Sequence, residues 1–214
     1  MDKEFCMIET ESALREILDT PIPIALRKVG TTLDAHCRKF ISLSPFLCLA
    51  TMSRQGKATV SPRGDPPGFV QVLDDKTLII PDRPGNNVAD SMERILEMPR
   101  AGVLFFIPGF DETLRVNGAV NITTDEGILS QCIVAGRTPK LALRLIVEEV
   151  FFHCGKSLKR SKLWDPDSRR DRQEMPSLAR IILEQTADPD APPTQEEVSE
   201  TEEMVEKDYR ESLY

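Results

Sequence analysis

Two short stretches of this chain carry residue types suited to gripping an anion. They are Ser61-Pro-Arg-Gly-Asp-Pro-Pro-Gly68 and Pro81-Asp-Arg-Pro-Gly-Asn-Asn87. Each interrupts a run of strand-like residues, and each sets an arginine where the strand leaves off. A phosphate is held best by guanidinium N–H groups, main-chain amides and a helix N-terminus. The second stretch offers all three. Arg83 is the guanidinium, Gly85 lets the backbone approach closely, and Asn86 is expected to start a helix, with Asn87 beside it. A solvated turn whose Asn merely caps the helix uses the same residues. In the first stretch, Ser61 supplies a hydroxyl and Arg63 is either a ligand or a surface arginine on a hairpin edge. Asp65 either orients Arg63 or only opens the Asp-Pro-Pro-Gly turn.

A third basic segment, Lys156 to Trp164, is expected to complete the site of a phosphate-bearing cofactor. Trp164 is the single tryptophan. It follows Lys159-Arg-Ser-Lys162, which suits the rim of a bound ring as well as the core packing usual for a lone aromatic. Arg115 reads first as a barrel-rim ion pair. His153, at a strand end, reads first as a satisfied structural histidine and second as a proton donor. No Ser-His-Asp or paired-carboxylate constellation stands out, so hydrolysis has little support.

Strands must position these loops. Phe46 to Ser53 and Lys57 to Pro62 read as a hairpin across Gly56, and Phe69–Leu73 with Thr77–Ile80 as a second. Asn86 to Met98 reads as an amphipathic helix stopped by Pro99. Val103 to Ile107 is continuously apolar, which implies a strand buried on both sides. Thr113 to Thr124 follows as a long strand with a bulge at Gly118, and Arg144 to Phe152 is the last strand. Six or seven closely spaced strands imply a mainly β, α+β fold, an antiparallel sheet curled into a small barrel with peripheral helices. Residues 1–43 form a helical lead-in expected to cover one sheet face, 44–166 the core, and 167–214 a helical acidic extension. In the extension, Thr194 and Glu197 form a capping box. Behind it runs a narrow stripe of Val198, Val205, Tyr209 and Leu213, expected to dock on the body or on a partner subunit.

Bulk properties exclude several classes. The net charge of -8 resides entirely in residues 186–214, which hold ten acidic and two basic side chains, so the rest is neutral. Such a balance argues against nucleic-acid binding yet leaves the body free to gather arginines in one pocket. Five cysteines without a Cys-x-x-Cys pair, and two histidines, support neither zinc nor a disulfide framework. No apolar run is long enough for a membrane span. The charged N-terminus, Met1 to Met7, is unlike a signal peptide. A cytoplasmic protein is expected.

The order of these motifs resembles the pyridoxamine 5′-phosphate oxidase-like FMN-binding split β-barrels, and an uncharacterised bacterial subgroup among them. The likeness rests on Ser61-Pro-Arg-Gly-Asp65, Ile80-Pro-Asp-Arg-Pro-Gly-Asn-Asn87, Leu114-Arg-Val-Asn-Gly118 and Phe152 to Pro166. It covers about residues 30 to 166 and reaches the terminal Asp208 to Tyr214 more weakly. The resemblance implies a homodimer with FMN at the subunit interface and flavin-mediated oxidoreductase chemistry on a small organic substrate or nicotinamide donor. A non-catalytic flavin, deazaflavin or haem module is the alternative. Carried over by motif, Ser61 and Arg63 fall on the second-strand phosphate positions, and Arg83 and Asn87 on the loop-to-helix positions. Lys156, Ser161 and Trp164 fall on a segment reaching the partner's site. Val88 and Ala119 stand where the family commonly has basic residues. Each lost charge-assisted contact is worth roughly 1.5–3 kcal/mol, so weaker FMN affinity is expected.

Overall fold

The computed structural model describes residues 6–214. Residues 1–5, and with them most of the charged N-terminal stretch noted above, lie outside it.

Alternation of apolar and polar residues builds the sheet. Strands β1 (Phe46–Met52) and β2 (Ala58–Gly64) form the first hairpin, with Gly56 at φ 83° in its turn. Leu47 and Leu49 point inward and are fully buried, whereas Phe46, Ala50 and Met52 face outward. The remaining strands are β3 (Gln71–Val72), β4 (Thr77–Pro81), β5 (Arg100–Phe106), β6 (Thr113–Thr123) and β7 (Ala142–His153). They run in the order β2-β1-β5-β6-β7-β4-β3, with every neighbouring pair antiparallel. The end strands β2 and β3 are not hydrogen-bonded to one another, so the sheet is curled but not closed. Leu47, Leu78, Phe105, Leu114 and Leu145, from five different strands, nevertheless meet in one apolar cluster. The curl wraps a single core.

Strand β5 departs from the expectation of burial on both faces. Ala101, Val103 and Phe105 are buried, while Gly102, Leu104 and Phe106 on the other face are only half-buried. An apolar run therefore marks here a strand with one covered and one partly covered apolar face. The bulge expected at Gly118 is present, as a register shift between Asn117 and Gly118.

Helix α1 (Glu11–Ile17) and helix α2 (Pro23–Arg27) bury no residue, contrary to the covering role expected of the whole lead-in. The prolines at 21 and 23 keep both too short to carry a stripe to the core. Gly30 then pairs with Val150 of β7 through reciprocal N–H···O bonds of 2.9 and 2.8 Å. Of the lead-in helices, α3 (Ala35–Leu43) is the one that covers the sheet. Asp34 caps it by accepting the Cys37 N–H at 2.8 Å, and Cys37, Phe40 and Ile41 pack inward.

Beyond β4 comes α4 (Asp90–Glu97). A short helix, α5 (Glu126–Leu129), precedes β7, and α6 (Lys156–Ser161) follows it. The extension holds α7 (Leu178–Thr186) and α8 (Gln195–Glu211), packed on each other. The Thr194–Glu197 capping box forms as expected. Of the α8 stripe, Val198 is fully buried, whereas Tyr209 and Leu213 are exposed. No helix among the described residues is long and apolar enough to cross a membrane.

Candidate functional site

The curl of the sheet carries the end of β2 to the end of β4, and two ion pairs form across that junction. Arg63 Nη1 donates to Asp82 at 2.5 Å, and Arg83 Nε donates to Asp65 at 2.5 Å. The pairing is crosswise, so Asp65 orients Arg83 rather than Arg63. The Asp65 carboxylate is fully buried and the Arg83 side chain is 14% exposed. Guanidinium groups carry five N–H donors, so each arginine has capacity left. Arg63 Nε and Arg83 Nη2 are in fact buried without a protein partner.

Arg63, Asp82 and Arg83 line a cavity of about 690 Å³. Its walls are Ser61 and Arg63 of β2, residues 82–92 leading into α4, residues 137–141 ahead of β7, and Tyr214. Ser61 Oγ lies 3.0 Å from Ser91 Oγ. Asn86 does not start the helix. Its Oδ1 accepts the Val88 N–H at 3.1 Å in a local turn, Asn87 and Ala89 are left-handed at φ 57° and 55°, and α4 begins only at Asp90. Asn beside its own turn competes with helix formation for the backbone, which delays the start by one turn. A left-handed alanine costs about 1–2 kcal/mol, so this corner is strained. Ala89 offers no side-chain cap, and the first-turn residues Ala89 to Met92 line the cavity.

Ser61, Arg63, Arg83, Asn86 and Asn87 thus share one cavity, with Asp65 behind its wall. Val88 lines it too, 63% exposed, whereas Ala119 does not. Lys156, Ser161 and Trp164 do not reach the cavity of their own chain. Trp164 Nε1 donates to the Phe110 carbonyl at 2.7 Å, Ser161 Oγ turns back onto the Leu158 carbonyl at 3.0 Å, and Lys156 is exposed.

Of the lining residues that the sequence reading missed, Ser91 apart, Arg137, Lys140 and Tyr214 carry the most chemistry. Arg137 and Lys140 sit in Ala135-Gly-Arg-Thr-Pro-Lys140, where Ala135 and Gly136 make a tight left-handed turn at φ 50° and 73°. That loop has the same Gly, Pro and cation signature as the other two and was legible by it. Tyr214 had no such signal. Its hydroxyl donates to Asp65 Oδ1 at 2.8 Å, its ring lies 5.8 Å from the Arg83 guanidinium carbon, and its main-chain oxygen accepts from Arg137. Donation to the Asp65 carboxylate raises the phenol above its ordinary value. Behind the wall, burial pushes the Cys132 thiol up.

A family model decides the class of protein: pyridoxamine 5′-phosphate oxidase matches residues 33–154, more than half of the chain. The chain belongs to the pyridoxamine 5′-phosphate oxidase family. The matched segment holds both arginine loops and Arg137, and stops before Lys156, Ser161, Trp164 and Tyr214. Among solved structures, an FAD-binding protein from Mesorhizobium loti is 21% identical with a TM-score of 0.40, over 58% of this chain and 96% of that one. HupZ from Group A Streptococcus is 17% identical with a TM-score of 0.45, over 56% and 92%. HutZ, the haem storage protein from Vibrio cholerae, is 14% identical with a TM-score of 0.39, over 57% and 94%. No curated protein matches.

Arg115 and His153, the weaker candidates, lie outside the cavity of this pyridoxamine 5′-phosphate oxidase relative. Among the described residues Arg115 has no ion-pair partner. Its guanidinium carbon stands 5.3 Å from the Phe151 ring, as does Lys28 Nζ, and the His153 ring is 4.8 Å away. His153 is not a satisfied histidine either, because its buried Nε2 has no partner. Burial, then the charges of Arg115 and Lys28, hold its pKa below the ordinary 6.5. The native state thus refuses a proton that the unfolded chain accepts, and stability must fall as pH drops through about 6.5. Urea midpoints measured from neutral to mildly acidic pH should show this loss in the wild type and a shallower one in His153→Gln. Equal slopes would exclude the histidine as the source.

Proposed function

We propose that this protein binds FMN in the cavity between the β2 and β4 loops, as a homodimer, and serves as a flavin-dependent oxidoreductase. The observation that carries the reading is the convergence of Arg63, Arg83, Arg137 and Lys140 on one cavity, with Arg63 Nε and Arg83 Nη2 still without partners. Each guanidinium has N–H donors beyond those used by its carboxylate partner, and a phosphate offers acceptors for them. The cavity volume is within the range of cofactor sites. Family membership supports the same assignment.

In this reading the Arg63 and Arg83 guanidiniums that line the cavity hold the phosphate, and the hydrogen-bonded Ser61–Ser91 hydroxyl pair adds one donor. Asp82 and Asp65 keep the two guanidiniums in place but also neutralise part of their charge. With Val88 contributing no cation, a micromolar rather than nanomolar site is the expectation. Bound FMN supplies two-electron redox chemistry, and the protein binds, orients and shields.

The partly covered apolar face of β1, β2 and β5 supports a second copy as the partner. Phe46, Met52 and Val60 are exposed there, and the Phe46 and Phe106 rings stand 6.1 Å apart. Lys156, Ser161 and Trp164, which miss their own cavity, are assigned to the partner's.

Titration of purified protein with FMN tests the reading. Quenched flavin fluorescence with saturation, and sedimentation as a dimer, are the expected results. Bleaching by a nicotinamide donor and recovery in air separates an oxidoreductase from a non-catalytic flavin, deazaflavin or haem module. Protein that takes up no FMN overturns the assignment.

A further inference from the structure

We infer that Tyr214 is a positioning residue of the cavity, a strap that locks Arg83 and Asp65 in the geometry an anionic ligand needs. The inference rests on the ligand reading of the cavity given above.

Three contacts tie Tyr214 to three separate segments. The hydroxyl donates to Asp65 Oδ1 at 2.8 Å, beyond the end of β2. The ring lies beside Arg83, beyond the end of β4, with the guanidinium carbon 5.8 Å from its centroid. The main-chain oxygen accepts from Arg137 ahead of β7. Asp65 has two oxygens to satisfy in a fully buried position, and Arg83 Nε takes only Oδ2. Without the phenol, Oδ1 has no donor. An underpaired carboxylate draws its arginine more closely onto itself, away from any ligand. The phenol frees Arg83 by taking the second oxygen, and the ring fixes the guanidinium plane by a cation–π contact.

Tyr214 forms a wall and not a plug. The cavity retains its volume of about 690 Å³ with Tyr214 in place, and Arg83 Nη2 and Arg63 Nε remain unpartnered beside it. An occupant competing with the ligand would be expected to take those donors.

The test compares wild type, Tyr214→Phe and Tyr214→Ala, with Tyr209→Phe as control, since Tyr209 is exposed on α8, a few residues before Tyr214. FMN and inorganic phosphate are titrated separately by calorimetry, and thermal melts confirm that each variant folds. Tyr214→Phe should weaken FMN binding about tenfold, the scale of one hydrogen bond to a charged group. Tyr214→Ala should weaken it further, and the control should not change. With Tyr209 removed, near-ultraviolet phenolate absorbance reads Tyr214 alone. Ionisation should come later than for an ordinary tyrosine and move earlier in Asp65→Asn. A purely structural role moves the melts without moving that titration.

Equal FMN affinity in wild type and Tyr214→Ala overturns the strap and leaves the flavin assignment standing, and tighter binding in Tyr214→Ala makes the residue a plug and overturns it too. Phosphate binding that depends on Tyr214, without FMN binding, upholds the strap and removes the flavin. Binding of neither ligand removes both.

Discussion

Arg83→Met is expected to lower stability by about 3–5 kcal/mol, the usual cost of stripping one partner from a buried ion pair, and to abolish FMN uptake. The reason lies in the burial of its partner. The Asp65 side chain is fully buried, and once Arg83 Nε is removed only the Tyr214 hydroxyl remains to it. A carboxylate held there must stay charged with one donor or take up a proton, and either outcome favours the unfolded chain. The double variant Arg83→Met/Asp65→Asn should recover much of the lost stability, because an amide in place of the carboxylate leaves no charge stranded. It should not recover binding, because the guanidinium is still absent. Arg63→Met offers the contrast. Arg63 and Asp82 are 22% and 29% exposed, so water can take over the abandoned carboxylate, and the loss should be about 1 kcal/mol. Urea denaturation of the four proteins, paired with FMN titration, checks the set. Should Arg83→Met prove as stable as Arg63→Met, Asp65 does not depend on Arg83 as the geometry requires.

This asymmetry between the two pairs shows where the sequence stops speaking. Both arginine loops were legible, because Gly and Pro punctuate strands only where the backbone turns or is approached closely. The strands around them were legible by alternation. The pairing was not. Arg63 and Asp65 are neighbours along the chain, and local reasoning joins them. Only the curl of the sheet, which sets β2 against the end of β4, crosses the partners over. The start of α4 failed for a related reason. Asn86 is a good N-cap by type, yet its side chain closes a turn on Val88 first, and the helix waits until Asp90. Tyr214 was hidden more deeply, since one aromatic far along the chain carries no periodicity and its role exists only through contacts 149 residues away. Arg137 and Lys140, by contrast, bear the same loop signature as the other two and needed only the same weight. Lys156, Ser161 and Trp164 show the limit of a single chain. Only Trp164 is tied to the β5–β6 turn, through the Phe110 carbonyl; all three lie away from their own cavity and acquire a cofactor role only if a second copy supplies the other half.

Gly118→Ala is expected to be the more damaging substitution, costing about 3 kcal/mol or more, because its clash is with backbone and no rotamer can relieve it. A Cβ at this position would lie 1.9 Å from the Ile146 carbonyl oxygen and 2.9 Å from its carbon. Residues 117 and 118 face 149 and 147 on β7, so Glu148 is the extra residue of the bulge. The bulge does structural work beyond local relief. On β7 the buried positions are Leu143, Leu145 and Val147, then Val150, a step of three where a regular strand steps by two. Without that offset Val150 would face solvent and Glu149 the core. Glu148, displaced outward, instead forms an ion pair with Arg100. The alanine variant must therefore open the ladder between the two longest strands or slip its register and bury a carboxylate. Gly56→Ala serves as the control. Its φ of 83° is unfavourable to a side chain, as that of Gly118 is not, but nothing lies within 4 Å, so the loss should stay near 1–2 kcal/mol. Chemical denaturation of both variants separates backbone strain from collision. If the two losses are equal, the close approach at Gly118 is not what fixes the offset that orients Val147 and Val150.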